Sequence, residues 1–200
     1  MDLYVVDDEP AIHATLRASL PKELRISSFL APDAFLEALD GLAPGVVLLD
    51  IAMPGMDGHA VHEALVERGA EMAVVFLTGR GGAPDVITAF HRGAADYLCK
   101  PFRRADLQAA LERANRRLAE ILSERALRAQ RLRLDRLSAR ELDVLARIGQ
   151  GKVSKVIAHE LGISARTVEM HRANICEKLD TTTAGAVMLA ARSGMIDAAA

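Results

Sequence analysis

A chain of 200 residues, half of them hydrophobic and only 4% aromatic, has room for two small domains with aliphatic cores. It has no apolar run of about 18 residues and no basic segment near Met1, which argues against a membrane span and a secretory leader. Cys99 and Cys176 stand far apart with no CxxC spacing, as expected of reduced thiols, so the chain is read as soluble and cytoplasmic. The formal net charge of −2 conceals an asymmetry. Residues 1–110 hold 9 Lys and Arg against 16 Asp and Glu, a net of −7. Residues 111–136 hold 8 against 4, net +4, and residues 137–200 hold 8 against 7, net +1. An acidic front and a basic rear point to two modules with different partners.

Leu3 to Val6 reads as a strand ending at Asp7-Asp8-Glu9, with Pro10 opening a helix through Leu20. Leu24 to Phe29 is a second strand and Pro32 to Leu39 a second helix. Gly45 to Asp50 is a third strand, whose four consecutive apolar residues suit burial on both faces of a parallel sheet. It stops at a carboxylate followed by the turn Ile51-Ala52-Met53-Pro54-Gly55-Met56-Asp57-Gly58, and a helix is predicted from about Asp57 to Arg68. Met72 to Leu77 is a fourth buried strand ending at Thr78. A helix over Pro84 to Arg92 and a short strand over Ala95 to Leu98, before Lys100-Pro101, complete the pattern. Five β-then-α units imply a doubly wound, five-stranded parallel sheet.

In such a sheet the carboxyl ends of all strands lie at one edge, where ligands bind. Asp7, Asp8, Asp50, Thr78 and Lys100 therefore rise into one crevice. Carboxylates and a backbone carbonyl suit a hard divalent ion such as Mg²⁺. A carboxylate can also act as a nucleophile towards phosphorus, with an ammonium and a metal neutralising charge on the phosphoryl oxygens.

These residues, in this order, resemble the receiver domain of two-component response regulators over roughly residues 1–117, a flavodoxin-like fold. The resemblance implies that Asp50 is the phosphoacceptor. It also implies that Asp8, Asp50 and the Ala52 carbonyl bind Mg²⁺, with Asp7 acting through water. Thr78 would hydrogen-bond the phosphoryl group, Lys100 would pair with it, and Lys100-Pro101 would be a cis peptide. Tyr97 matches the aromatic that turns inward on phosphorylation, the reading preferred over a simple half-buried strand aromatic. Ala52 and Arg80 stand at positions that tune phosphoryl lifetime in the family, and Arg80 is read as a solvated loop charge. His59 and His62, three apart at a helix start, are read as surface residues rather than a metal pair. Cys99 is read as packing rather than redox chemistry.

From Arg103 onward Leu107, Leu111, Ala114, Leu118, Ile121 and Leu122 recur at helical spacing, and no Gly or Pro interrupts Phe102 to Arg136. The last receiver helix is predicted to continue as an arginine-rich linker over residues 118–136. It is read either as a dimerising signalling helix or as a solvated spacer.

Ser138 three residues before Glu141 is a capping-box helix start, and the helix runs to Gly149. Val153 to Leu161, a break at Gly162, and a helix capped by Ser164 and ending at Leu179 fit a helix-turn-helix, with a fourth helix over Thr183 to Arg192. At 100° per residue Val168, Ile175 and Leu179 share one face of the third helix, and Arg166, Glu169, Met170 and Ala173 share the opposite one. Arg166, Arg172, Lys178 and Lys155 are assigned to phosphates, Glu169 to a cytosine amine and Met170 to a thymine methyl.

Residues 137–196 resemble the LuxR-type helix-turn-helix of NarL/FixJ regulators, and the domain is taken as 137–200. The match runs through Leu137-Ser138, Arg140-Glu141, Val144-Leu145, Gly151, Lys155, Ile157-Ala158, Leu161, Ile163-Ser164, Thr167-Val168, His171 and Lys178-Leu179. The resemblance extends the DNA-binding set to Thr167 and His171. Val153-Ser154 departs from the family's usual Ser-Asn, and Val156 from its frequent Glu. The whole pattern implies a transcription factor, not an enzyme, that a sensor histidine kinase phosphorylates on Asp50. It would dimerise when phosphorylated and bind promoter DNA. The residues leave open a DNA-binding regulator that ignores phosphate and a receiver with a protein-binding helical output.

Overall fold

The computed structural model describes residues 2–79 and 93–196. The helix expected over Pro84 to Arg92, and Arg80, lie outside the described residues. The chain divides into two compact units, Met1–Leu122 and Ser123–Ala200.

In the first unit β1 (Asp2–Val6), β2 (Arg25–Phe29), β3 (Gly45–Asp50), β4 (Met72–Thr78) and β5 (Asp96–Cys99) form a parallel sheet in the order β2-β1-β3-β4-β5. The strand order reverses between β1 and β3, and the crevice above such a reversal is where open α/β sheets hold ligands. The helices are α1 (Pro10–Ser19), α2 (Pro32–Ala38), α3 (Gly58–Glu67) and the start of α4 (Arg104–Leu134), with a 3₁₀ turn at Leu39–Gly41. Pro10 and Pro32 stand in the first turns of α1 and α2, where a missing N–H costs nothing.

All six residues of β3 are buried because both faces of the sheet are covered. Leu3, Val5, Val46, Leu48, Val75 and Leu77 point to one face with Leu16, Leu107 and Leu111. Tyr4, Val6, Val47, Leu49, Val74 and Phe76 point to the other with Phe35, Val61 and Leu65. Each such aliphatic side chain contributes about 1.5–3 kcal/mol by leaving water, so the central strands are the rigid part of the unit.

Local chemistry fixes where α3 begins. The Asp57 carboxylate caps it, accepting from the Ala60 N–H at 2.8 Å. At the next position a Cβ would stand 2.2 Å from the Asp50 carbonyl oxygen, so Gly58 is the residue that lets α3 start directly against the end of β3.

In the second unit α5 (Ala139–Gly149), α6 (Ser154–Leu161), α7 (Ala165–Leu179) and α8 (Thr183–Arg192) enclose a core of Val144, Leu145, Ile157, Val168, Ile175 and Leu179. Leu134, at the end of α4, and Leu137 belong to the same core. Ser138, Ser164 and Thr182 cap α5, α7 and α8, and Gly162 ends α6 at φ 63°, a left-handed conformation that suits glycine. The uninterrupted stretch after Lys100-Pro101 is one helix, α4. Leu107, Ala110, Leu111, Ala114 and Leu118 pack in the first unit, whereas residues 122–126 are exposed.

Candidate functional site

The sheet brings Asp7, Asp50 and Lys100 into direct contact. Lys100 Nζ donates to Asp7 Oδ2 at 2.6 Å and pairs with Asp50 Oδ1 at 2.7 Å. Glu9, one turn into the loop after β1, adds a weaker partner at 3.5 Å. Asp7 is completely buried and Asp50 is 4% exposed, so these are charges held in a largely dry crevice. Every remaining oxygen is accounted for by backbone. Glu9 N–H donates to Asp7 Oδ1, and Ala52 N–H donates to Asp50 Oδ2, each at 2.9 Å. Burial on its own lowers the Lys100 pKa, but hydrogen bonds from its ammonium to Asp50 and Asp7, and their charges, outweigh this and hold it above the ordinary lysine value.

Thr78 is buried at the end of β4, one residue past Leu77, which pairs in register with Asp50. The Lys100 N–H donates to the Thr78 carbonyl at 2.6 Å, which ties the segment after β5 to the end of β4. The Lys100-Pro101 bond is cis. Asp8 is half-buried, and its carboxylate makes no hydrogen bond or ion pair with a described residue. The carboxylates of Asp7, Asp8 and Asp50 and the Ala52 carbonyl are oxygen donors of the kind a hard divalent cation takes, and among the described residues no three acids or histidines are gathered as a ready-made metal cluster.

Several neighbours differ from the sequence reading. His62 is buried, 5% exposed, and both His59 and His62 lie against the Phe76 ring, with centroids 4.9 and 5.5 Å away. They are packing residues of the α3–β4 layer rather than surface residues, because their spacing matches the inward face of α3. Cys99 is exposed, since strand alternation turns Leu98 inward and Cys99 out. Tyr97 is half-buried with its hydroxyl enclosed and without a hydrogen-bond partner among the described residues. His13 was not singled out by sequence. Its Nε2 donates to the Asp7 carbonyl at 2.7 Å, bracing the loop that carries the acids.

In the second unit the third-helix division by angle holds: Val168, Ile175 and Leu179 are buried, and Arg166, Glu169, Met170 and Ala173 are exposed. The cations assigned to phosphates separate into two pairs. Lys155 and Arg166 are exposed and make no ion pair with a described residue. Lys178 instead donates to Glu141 Oε2 at 2.7 Å, and Arg172 lies 3.2 Å from Ser154 Oγ and 3.5 Å from Glu169 Oε1. Thr167 and His171 are half-buried; Thr167 belongs to the Ser164 cap, and His171 Nδ1 is enclosed without a partner among the described residues.

Glu141 is thus more than a cap. It is 3% exposed, and Oε2 accepts from Ser138 N–H at 2.7 Å, from Ser138 Oγ at 3.0 Å and from Lys178. Burial on its own raises its pKa, yet the Lys178 ammonium and the Ser138 donors hold it below the ordinary glutamate value. The capping box was legible in Ser138-x-x-Glu141; its partner 37 residues later carried no sequence signal.

Comparison with known proteins agrees with both halves. Residues 3–112 match the response regulator receiver domain model, and residues 135–190 match that of bacterial regulatory proteins of the luxR family. The transcriptional regulatory protein FixJ of Azorhizobium caulinodans is 38% identical over 181 residues, covering 90% of this chain and 86% of that one. The tetrathionate response regulatory protein TtrR of Salmonella typhimurium is 38% identical over 184 residues, covering 88% and 85%. Among solved structures, response regulator StyR superposes with a TM-score of 0.75 at 32% identity over 96% of this chain and 98% of that one. Full-length FixJ from B. japonicum gives 0.58 at 34% identity over 98% of each. The chain belongs to the NarL/FixJ-type response regulators, with a receiver domain followed by a LuxR-type DNA-binding domain.

Proposed function

We propose that a sensor histidine kinase phosphorylates this regulator on Asp50, and that the modified protein dimerises and binds promoter DNA. The receiver occupies residues 1–117, the linker 118–136 and the DNA-binding domain 137–200. The observation that supports this best is the convergence of Lys100 on both Asp7 and Asp50, at 2.6 and 2.7 Å, at the topological switch of the sheet. Asp50 is the nucleophile: a carboxylate oxygen forms the P–O bond as the donor's bond to phosphorus breaks. Its Lys100 partner is positioned to follow the new negative charge, and Thr78 to donate a hydrogen bond to it. Asp8, Asp50 and the Ala52 carbonyl would hold Mg²⁺, with Asp7 acting through water. When bound, the ion neutralises charge on the phosphoryl oxygens.

Moving Lys100 and Thr78 towards the phosphoryl group changes what surrounds Tyr97 and biases the receiver towards a state whose β5–α4 face pairs with a second copy. Two second units then engage paired half-sites, and each gains from the other's binding. Lys155 and Arg166 contact phosphates, and the exposed face of α7 enters the major groove. The protein acts as a phosphoryl acceptor with at most slow self-dephosphorylation. Incubation with acetyl phosphate and Mg²⁺ followed by intact-mass and peptide measurements tests the assignment. One phosphoryl group on the peptide holding Asp50, not acquired when Mg²⁺ is chelated before the donor is added and absent from Asp50→Asn, is expected. Modification elsewhere would overturn it.

A further inference from the structure

On the exposed face of α7 one residue is not a free side chain. Ser154 Oγ donates to Glu169 Oε1 at 2.5 Å, and Arg172 donates to Ser154 Oγ at 3.2 Å and lies 3.5 Å from the same Glu169 oxygen. The hydroxyl is therefore used as both donor and acceptor, and Glu169 Oε1 is filled by two donors. The Glu169 side chain is nevertheless 60% exposed, and Oε2 takes no hydrogen bond from a described residue.

We propose that Glu169 reads a cytosine in each half-site, and that Ser154 and Arg172 are the positioning residues that aim it. This rests on the reading of α7 as the groove-entering helix. An ionised carboxylate is acceptor-only, so it is repelled by guanine O6 and N7 and by thymine O4. Adenine offers an amine but sets the N7 acceptor beside it, against the second carboxylate oxygen. Cytosine presents a lone amine, and a single free oxygen held at a fixed angle matches it. A carboxylate facing DNA also has to contend with the phosphates. The Arg172 guanidinium beside it lowers that local negative charge, and the hydrogen-bonded relay Arg172–Ser154–Glu169 restricts the rotamers that would have to be ordered on binding. Val153-Ser154, at the start of α6, then has a specific use: a short hydroxyl reaches Glu169 across the turn between the helices. Met170, the next residue and 53% exposed, places a methyl-seeking side chain beside the same base step.

The test is selection from a pool of random duplexes by the full-length protein treated with acetyl phosphate and Mg²⁺. Each bound position is then scored for all four bases. Wild type is expected to prefer cytosine at one position of each half-site by about tenfold. Glu169→Gln should exchange that preference for adenine, whose N6 and N7 suit an amide. Ser154→Ala should flatten the preference at that position while the preferences at the other positions of the half-site stay as in wild type, which a merely structural role would not do. A selected site lacking the cytosine, or one unaltered by both variants, overturns the proposal while leaving α7 as the recognition helix. A wild-type protein that binds no duplex at all overturns both.

Discussion

The two units handle charge in opposite ways. In the first, the Lys100 side chain is 11% exposed and the side chains of its partners Asp7 and Asp50 are 0% and 6% exposed, so one cation is shared between two carboxylates largely out of water. In the second, Lys178 and Arg172 keep 40% and 34% of their side chains in solvent while paired to Glu141 and Glu169. The first arrangement holds a cation against Asp50, the carboxylate proposed as the phosphoacceptor, in the crevice. The second spends two of four candidate phosphate contacts on holding the domain and its reading face together. Residue type reveals a site when the chemistry demands convergence in a dry place. On a surface, the same residue type says nothing of whether the side chain is already occupied.

The largest effect that sharpens this contrast is expected from Lys100→Met. It leaves Asp7 and Asp50 buried together without a cation, and should destabilise the first unit by about 3 kcal/mol. Urea unfolding followed with a probe in each unit measures it. The loss should be confined to the first unit and partly recovered by adding Asp7→Asn. An unchanged transition would mean that the crevice charges are already solvated.

Smaller losses are expected in the second unit. Glu141→Ala removes a helix cap and the partner of Lys178 and should cost about 2 kcal/mol. Lys178→Met should cost only about 1 kcal/mol, because the Ser138 N–H and Oγ still donate to Glu141 Oε2 and the lysine side chain is 40% exposed, where pairing is partly screened. Acid sensitivity follows with a definite sign. Because Glu141 is held below the ordinary glutamate value, its stabilising contribution is complete at neutral pH and is lost as pH falls through its depressed native range. The second unit of Glu141→Gln should therefore show a flatter stability profile at acid pH than wild type.

The smallest effects concern the free and engaged cations. Lys155→Ala and Arg166→Ala should each weaken binding to every duplex alike and make the salt dependence shallower by about one unit of slope. Lys178→Met should leave the slope unaltered. Equal slopes for all three would erase the distinction between occupied and available cations.

Much of this was legible beforehand, for physical reasons that differ by region. The apolar runs of β3 and β4 and the carboxylate that ends β3 are signals of composition, and parallel topology then dictates that Asp7, Asp50, Thr78 and Lys100 meet. The faces of α7 followed from helical period alone, and the helix begins and ends at its Ser164 cap and Leu179. What escaped was pairing across turns. Nothing local marks Lys178 as the partner of Glu141 or Ser154 as the holder of Glu169, because each pair is made by tertiary packing. His62 and Cys99 were misplaced for a related reason: which face of an element is covered depends on what packs there, and His62 meets Phe76 while Cys99 ends an edge strand.

The central claim is that modification of Asp50 governs the grip of the second unit on DNA. The direct measurement is the affinity of the full chain for a duplex recovered from the random pool, by fluorescence anisotropy, before and after acetyl phosphate with Mg²⁺, for wild type and Asp50→Asn. Wild type should tighten by about tenfold and Asp50→Asn should not respond. A wild-type protein stoichiometrically phosphorylated on Asp50 that binds no more tightly, or an Asp50→Asn variant that gains as much, would contradict the account.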